Sequence, residues 1–124
     1  MTPEQRERYD RNVRVPHIGA AGQRRIMQSR VCVIGLGGLG SPATMYLAAA
    51  GVGSLVVVDR DEVELSNLQR QVLHGTRSLG LPKTDSARDR IADLSPDVTV
   101  ETRAVCVTAS NAAEVLADCD VVID

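Results

Sequence analysis

Apolar positions along the chain fall into short blocks of different period. Val31-Cys32-Val33-Ile34 and Leu55-Val56-Val57-Val58 are unbroken, β-branched runs bounded by glycine or charge, the pattern of strands buried on both faces. Between them lies the uncharged segment Ala43 to Ala50, a helix by length. Lys83, Ala87, Ile91 and Leu94 recur three or four residues apart between Pro82 and Pro96, which predicts a helix with one apolar face. Val98 to Val107 alternates as a strand, Ala112 to Ala117 reads as a helix capped by Thr108 or Ser110, and Asp120 to Asp124 reads as a fourth strand. Upstream, Thr2-Pro3-Glu4-Gln5 is a capping-box start for a helix reaching about Arg11, and Gly22 to Gln28 is a second short helix. Strands alternating with helices predict an α/β fold with a Rossmann-like doubly wound parallel sheet. The division expected is a helical arm over 1–30 and a nucleotide-binding domain over 31–124. With the fourth strand closing the chain, the sheet is expected to be incomplete.

The first two runs enclose Gly35-Leu36-Gly37-Gly38-Leu39-Gly40, followed by Ser41, Pro42 and, further on, Gly51. Gly35, Gly37 and Gly40 match the fingerprint that gives a tight turn, backbone access to phosphate and close helix–strand packing. Ser41 as N-cap, Pro42 as first helical residue and Gly51 just past the end would complete the helix. Its N-terminus would then present free N–H groups to an anion over Gly37, Gly38 and Gly40. Asp59, ending the second strand, is placed for ribose hydroxyls. These features point to a nucleotide without saying which.

Composition narrows the classes. The chain has 124 residues, 44% hydrophobic and 24% charged, with two tyrosines and no Phe or Trp, so the core is aliphatic and Tyr9 and Tyr46 are its only large aromatic anchors. Met27, Met45 and Tyr46 read as packing. Net charge is −2, but the first 30 residues carry seven Arg against three acids. That is a solvated helical arm or, more sharply, one that delivers Arg to a phosphate. The acidic remainder and the lack of an aromatic-basic stripe argue against nucleic acid. No membrane span or signal segment is visible, which predicts a cytoplasmic protein. Cys32, Cys106 and Cys119 are odd in number and lack metal spacing, so neither a disulfide framework nor a zinc site is expected in this chain, and no residue is singled out as a metal ligand. Cys32 and Cys106 lie in apolar runs where buried, inert thiols are common.

What separates nucleotides is the stretch after Asp59. Asp61 sits beside it, a metal, ribose or plain surface acid. Asn67, Arg70 and Gln71 follow on one short segment, read as a loop with a single turn capped by Ser66. Lys83 then opens a helix, the one lysine among 14 basic residues. A compact ammonium and a planar guanidinium beside a nucleotide turn suit a triphosphate better than a dinucleotide. His17 and His74 are single loop histidines without partners.

Gly35-Leu36-Gly37-Gly38-Leu39-Gly40, Ala49-Ala50-Gly51-Val52-Gly53, Asp59-Arg60-Asp61, Ser66-Asn67-Leu68-Gln69-Arg70-Gln71 and Pro82-Lys83 together resemble the ThiF/MoeB/HesA family. These are relatives of the ubiquitin-activating enzymes that adenylate a ubiquitin-like sulfur carrier. Arg8-Tyr9-Asp10-Arg11-Asn12 is similar to the family's RYxRQ element, with Asn12 for the usual Gln. The resemblance implies ATP and Mg²⁺ as cofactors, phosphates on Gly38 and its neighbours, and ribose on Asp59. It implies Asn67, Arg70 and Lys83 on the triphosphate, and Arg11 reaching the ATP of the other subunit in a homodimer. The family's magnesium carboxylate would lie in a D-x-T-D-N-like element of which Asp124 is the only candidate member, and its Zn²⁺-binding cysteine pairs have no counterpart here. The implied partner is a sulfur-carrier protein, with tRNA for a minority of members and no membrane. This chain alone is expected to be inactive. An NAD-binding oxidoreductase domain and a non-catalytic nucleotide-binding fragment stand as alternatives.

Overall fold

Four parallel strands in the order β3-β2-β1-β4 form the centre of the molecule. The computed structural model describes residues 1–124. The strands are β1 (Arg30–Ile34), β2 (Ser54–Val58), β3 (Thr99–Arg103) and β4 (Val121–Ile123). The helices are α1 (Pro3–Arg8), α2 (Asp10–Val13), α3 (Gly19–Gln28), α4 (Gly40–Ala49), α5 (Lys83–Leu94) and α6 (Ala112–Val115). No helix is long and apolar enough to cross a membrane. The strand order turns outward in both directions from β1, so a crevice opens between β1 and β4 beyond their carboxyl ends.

One sheet face supplies Val31, Val33, Leu55 and Val57 to a core shared with Leu36, Ala48, Ala87 and Ile91. The other carries Cys32, Val56 and Val58 against Val115. Alternation along unbroken apolar strands thus feeds two layers. On the second face, at the amino end of β1, Arg30 forms two hydrogen bonds of 2.7 and 2.8 Å to Glu101 on β3, and a third to Ser54 on β2. That paired grip holds the Glu101 carboxyl down to about 2.

The α4 segment is apolar nearly all round, yet it turns Ser41, Thr44 and Ala48 inward. Small residues let the helix lie close to the strands, so Tyr46, expected as packing, is left 77% exposed. A Cβ on Gly40 would overlap the Gly35 carbonyl, which is the reason glycine closes the turn. At the far end, Gly51 takes φ +89°, its N–H bonds Ala48 and the Val52 N–H bonds the Leu47 carbonyl. This is the expected glycine stop.

Several boundaries differ from expectation. The first helix breaks at Tyr9, whose ring is buried against Gly51, so two short helices replace one. α3 starts three residues early, at Gly19. β3 ends at Arg103 because β2, its partner, turns away at Asp59. The rest of the expected 98–107 strand is irregular, and Cys106 is exposed rather than buried. Neither Thr108 nor Ser110 caps α6; Asn111 precedes it and accepts the Thr108 N–H.

Candidate functional site

The turn after β1 is held from three sides. Leu36, its second residue, is fully buried. Its N–H donates to Asp59 Oδ2 at 2.8 Å, and its carbonyl accepts from Ser41 Oγ at 3.2 Å. Ser41 therefore sits one residue inside α4 and ties the helix back to the turn, in place of the expected N-cap. The N–H groups of Gly37, Gly38, Leu39 and Gly40 have no acceptor within the chain. Four successive free donors at a helix start, with the helix dipole behind them, form an anion cradle.

Two clefts flank this turn. One, of about 340 Å³, runs over Gly35, Gly37, Gly38 and Gly40 to Ile123 and Asp124. The other, about 200 Å³, lies between Gly35, Asp59 and Asp61 on one side and Val105 to Val107 on the other. Ile34 and Gly35 line both, and Asp59 lines the second. Each of its carboxylate oxygens accepts one backbone N–H, Oδ2 from Leu36 and Oδ1 from Asp61. Each keeps lone pairs for a further donor.

The 61–83 segment brings the cations. Asp61, with an exposed side chain, accepts the Lys83 N–H at 2.9 Å, and Val63 pairs with Leu81 and Gly80. These bonds dock the start of α5 beside the carboxyl end of β2. Lys83 is only 6% exposed, and its ammonium makes no ion pair or hydrogen bond to the chain. Asn67, in a 3₁₀ turn over Leu65–Asn67, accepts the Glu64 N–H with its side-chain oxygen. That bond, and not Ser66, caps the turn, and it leaves the Asn67 amide N–H₂ free. The exposed Arg70 bonds the Ser66 carbonyl and lays its stem over Gly38, where an added Cβ would stand 3.8 Å from Cδ.

The structure therefore brings Gly37, Gly38, Gly40, Asp59 and Arg70 together at the turn, joins Asp61 to Asp59 and the Lys83 backbone to Asp61 by one hydrogen bond each, and leaves Asn67 on the segment that carries Arg70. Arg11 lies elsewhere. Its neighbour Asn12 bonds Gln23 and the Ala50 carbonyl, at the opposite end of α4, and Arg11 is 83% exposed with only Asp10 at 3.4 Å. Ten residues of α4 separate the two ends by about 15 Å. No three His, Cys, Asp or Glu side chains come together to hold a metal ion.

Three further polar residues are buried, of which only Gln71 was singled out in the sequence, on the segment that carries Asn67 and Arg70. His74 bonds Ser86 Oγ at 2.7 Å and the Leu36 carbonyl at 3.0 Å. Burial pushes its imidazole below the ordinary value; nearby Lys83 adds to this, while the Leu36 hydrogen bond and Asp59 oppose it. Gln71 is buried with its side-chain oxygen unpartnered, and its amide nitrogen would be 3.7 Å from a Cβ at Gly37. Gln23, fully buried, donates to the Ala50 carbonyl at 2.9 Å and joins the arm to α4.

Comparison with known proteins gives one consistent result. The ThiF family model matches residues 9–124. The SAMP-activating enzyme E1 of Haloferax volcanii is 52% identical over 120 residues, 97% of this chain and 44% of that protein. The sulfur carrier protein adenylyltransferase of Thermus thermophilus is 46% identical over 123 residues, 99% of this chain and 45% of that one. The crystal structure of E. coli tRNA N6-threonylcarbamoyladenosine dehydratase, TcdA, in complex with AMP, superposes with a TM-score of 0.87 at 29% identity, covering 93% of this chain and 46% of that one. The chain spans less than half the length of these relatives.

Proposed function

Since the chain belongs to the ThiF family, we propose that it supplies the ATP pocket of an enzyme that adenylates the C-terminal carboxylate of a ubiquitin-like sulfur-carrier protein. One observation carries this reading: the four N–H groups of Gly37 to Gly40 are free beside Arg70, whose stem passes over Gly38, and Lys83 lies close enough to bear on His74, which bonds the Leu36 carbonyl of the same turn. Such a site is built for several negative charges in a row. The names of the Haloferax and Thermus relatives, both carrier-activating, and the AMP complex of the E. coli structure support it.

In this reading ATP lies across the turn, with ribose hydroxyls on the remaining lone pairs of Asp59 and phosphates on the cradle. The carrier's terminal carboxylate is already ionised at neutral pH, so no general base is required. One carboxylate oxygen forms a bond to the α-phosphorus while the bond from that phosphorus to the bridging oxygen breaks. The products are an acyl adenylate and pyrophosphate. Lys83, Arg70 and the Asn67 amide offset the charge that grows on the leaving pyrophosphate, and the cradle aligns the phosphorus for in-line attack. Arg11, on α2 beside the far end of α4, reaches phosphate only from a second copy, so the reading includes a homodimer with Arg11 acting in trans.

ATP–pyrophosphate exchange by the full-length protein, with a ubiquitin-like carrier present, tests the proposal. Exchange should fall at least tenfold in Lys83→Ala and in Arg70→Ala, with ATP bound more tightly than NAD by calorimetry. Exchange at wild-type rates in both variants, or tighter binding of NAD, would refute it.

A further inference from the structure

The two groups of a peptide unit point in opposite directions, so fixing a carbonyl also aims the N–H bonded to it. The Leu36 carbonyl belongs to the same peptide unit as the Gly37 N–H, first of the four free donors. That carbonyl is tied inward by His74 Nε2 at 3.0 Å and Ser41 Oγ at 3.2 Å. A carbonyl only accepts, so the nitrogen facing it carries the proton. In a neutral ring Nδ1 is then the acceptor, and the Ser86 hydroxyl at 2.7 Å is its donor. Ser86 lies on α5, one turn beyond Lys83.

We propose that His74 is a positioning residue for the nucleotide site: in its Nε2–H form, set by Ser86, it locks the Leu36 carbonyl inward and so aims the Gly37 N–H at the bound phosphate. The inference rests on the ATP reading above and adds to it a residue that touches no ligand. Burial and geometry agree with this role. His74 is 6% exposed and Ser86 4%, so neither hydrogen bond competes with bulk water. The charged groups bearing on the ring are Lys83, Asp59 and no others; burial and the lysine hold it neutral, the state in which Nδ1 accepts. The chain Ser86–His74–Leu36 also links α5, which carries the ammonium, to the turn that carries the N–H groups. The two halves of the anion site are thereby held in register.

The role predicts a split that general damage would not produce. In the full-length protein, His74→Phe keeps a ring in the cavity but removes the shorter of the two bonds on the Leu36 carbonyl, leaving only that from Ser41. ATP affinity should fall about tenfold while adenosine affinity stays within about twofold, because only the phosphate end loses an aligned donor. His74→Gln, whose amide can restore a donor at the Nε2 position, should recover most of the loss. Independently of any variant, ¹⁵N spectra of histidine-labelled wild type at neutral pH should show His74 protonated at Nε2 and not at Nδ1. An Nδ1–H ring, an ATP affinity insensitive to His74→Phe, or equal losses for ATP and adenosine would overturn the inference. Wild type that binds no ATP would refute the adenylation reading first and this inference with it.

Discussion

Replacing Lys83 with methionine separates the ammonium from the stem that carries it. The stem is packed: Lys83 is 6% exposed at the first residue of α5. Methionine has the length and flexibility to keep that packing. The ammonium sits, without an acidic partner, at the positive end of a helix dipole, which costs about 0.3–1 kcal/mol. Partial loss of hydration adds to that cost. Removing the charge should therefore stabilise the ligand-free protein, by about 1 kcal/mol or roughly 4 °C in Tm. On the proposed ATP reading, the same change removes a charge-assisted hydrogen bond to phosphate, about 2 kcal/mol or roughly thirtyfold in ATP affinity. Urea unfolding of ligand-free protein and calorimetric titration with ATP read the two effects separately. Opposite signs are expected, a more stable and weaker-binding variant. Loss of stability beyond about 1 kcal/mol with unchanged ATP affinity would mean that the ammonium serves the fold, and the reasoning would fail.

Glu101→Gln breaks the paired bond from Arg30; with the carboxylate about a third exposed, the cost should be about 1–2 kcal/mol by chemical denaturation at pH 7. Because Glu101 titrates at about 2 in the fold, its contribution is fully present above the unfolded carboxylate range. It fades as pH falls from about 4.5 towards 2, so the wild-type and variant curves should converge there. Gly40→Ala meets backbone at the Gly35 carbonyl and should cost at least about 3 kcal/mol or abolish soluble expression. Gly38→Ala meets only the Arg70 side chain, so it should melt within a few degrees of wild type yet bind ATP more weakly. Gln23→Ala leaves Asn12 and the Ala50 carbonyl without their buried partner; a loss of about 1–3 kcal/mol should accompany faster proteolysis of the arm.

The parts of the site visible in the sequence are those whose chemistry is local. Glycine spacing marks the turn, because a tight turn needs particular residues at fixed offsets. The SNLQRQ segment and Lys83 stand out because charge next to a nucleotide turn has few other uses. His74 and Gln23 carried no such mark, and Gln71, though it closes that segment, carried none that showed its burial. Their partners lie 38, 34 and 27 residues away in sequence for Leu36, Gly37 and Ala50, and a buried polar residue is identified by what surrounds it. The same cause misplaced Tyr46. An all-apolar helix does not say which side it buries, and the decision fell to the small residues that allow close approach. Caps misread at Ser41, Ser66 and Thr108 follow from competing hydrogen bonds that only the folded chain offers. The expectation for Arg11 depended on a second subunit, and within one chain its position at the arm is all that the fold supplies.

Leu36 belongs at once to the hydrophobic core and to the glycine turn. The turn therefore cannot swing open without extracting a core side chain, and its donors are in place before a ligand arrives. Association should accordingly be a single collision-controlled step, with an observed rate linear in ligand concentration and no slow isomerisation that saturates. Discrimination between ligands would then reside in how fast each one leaves.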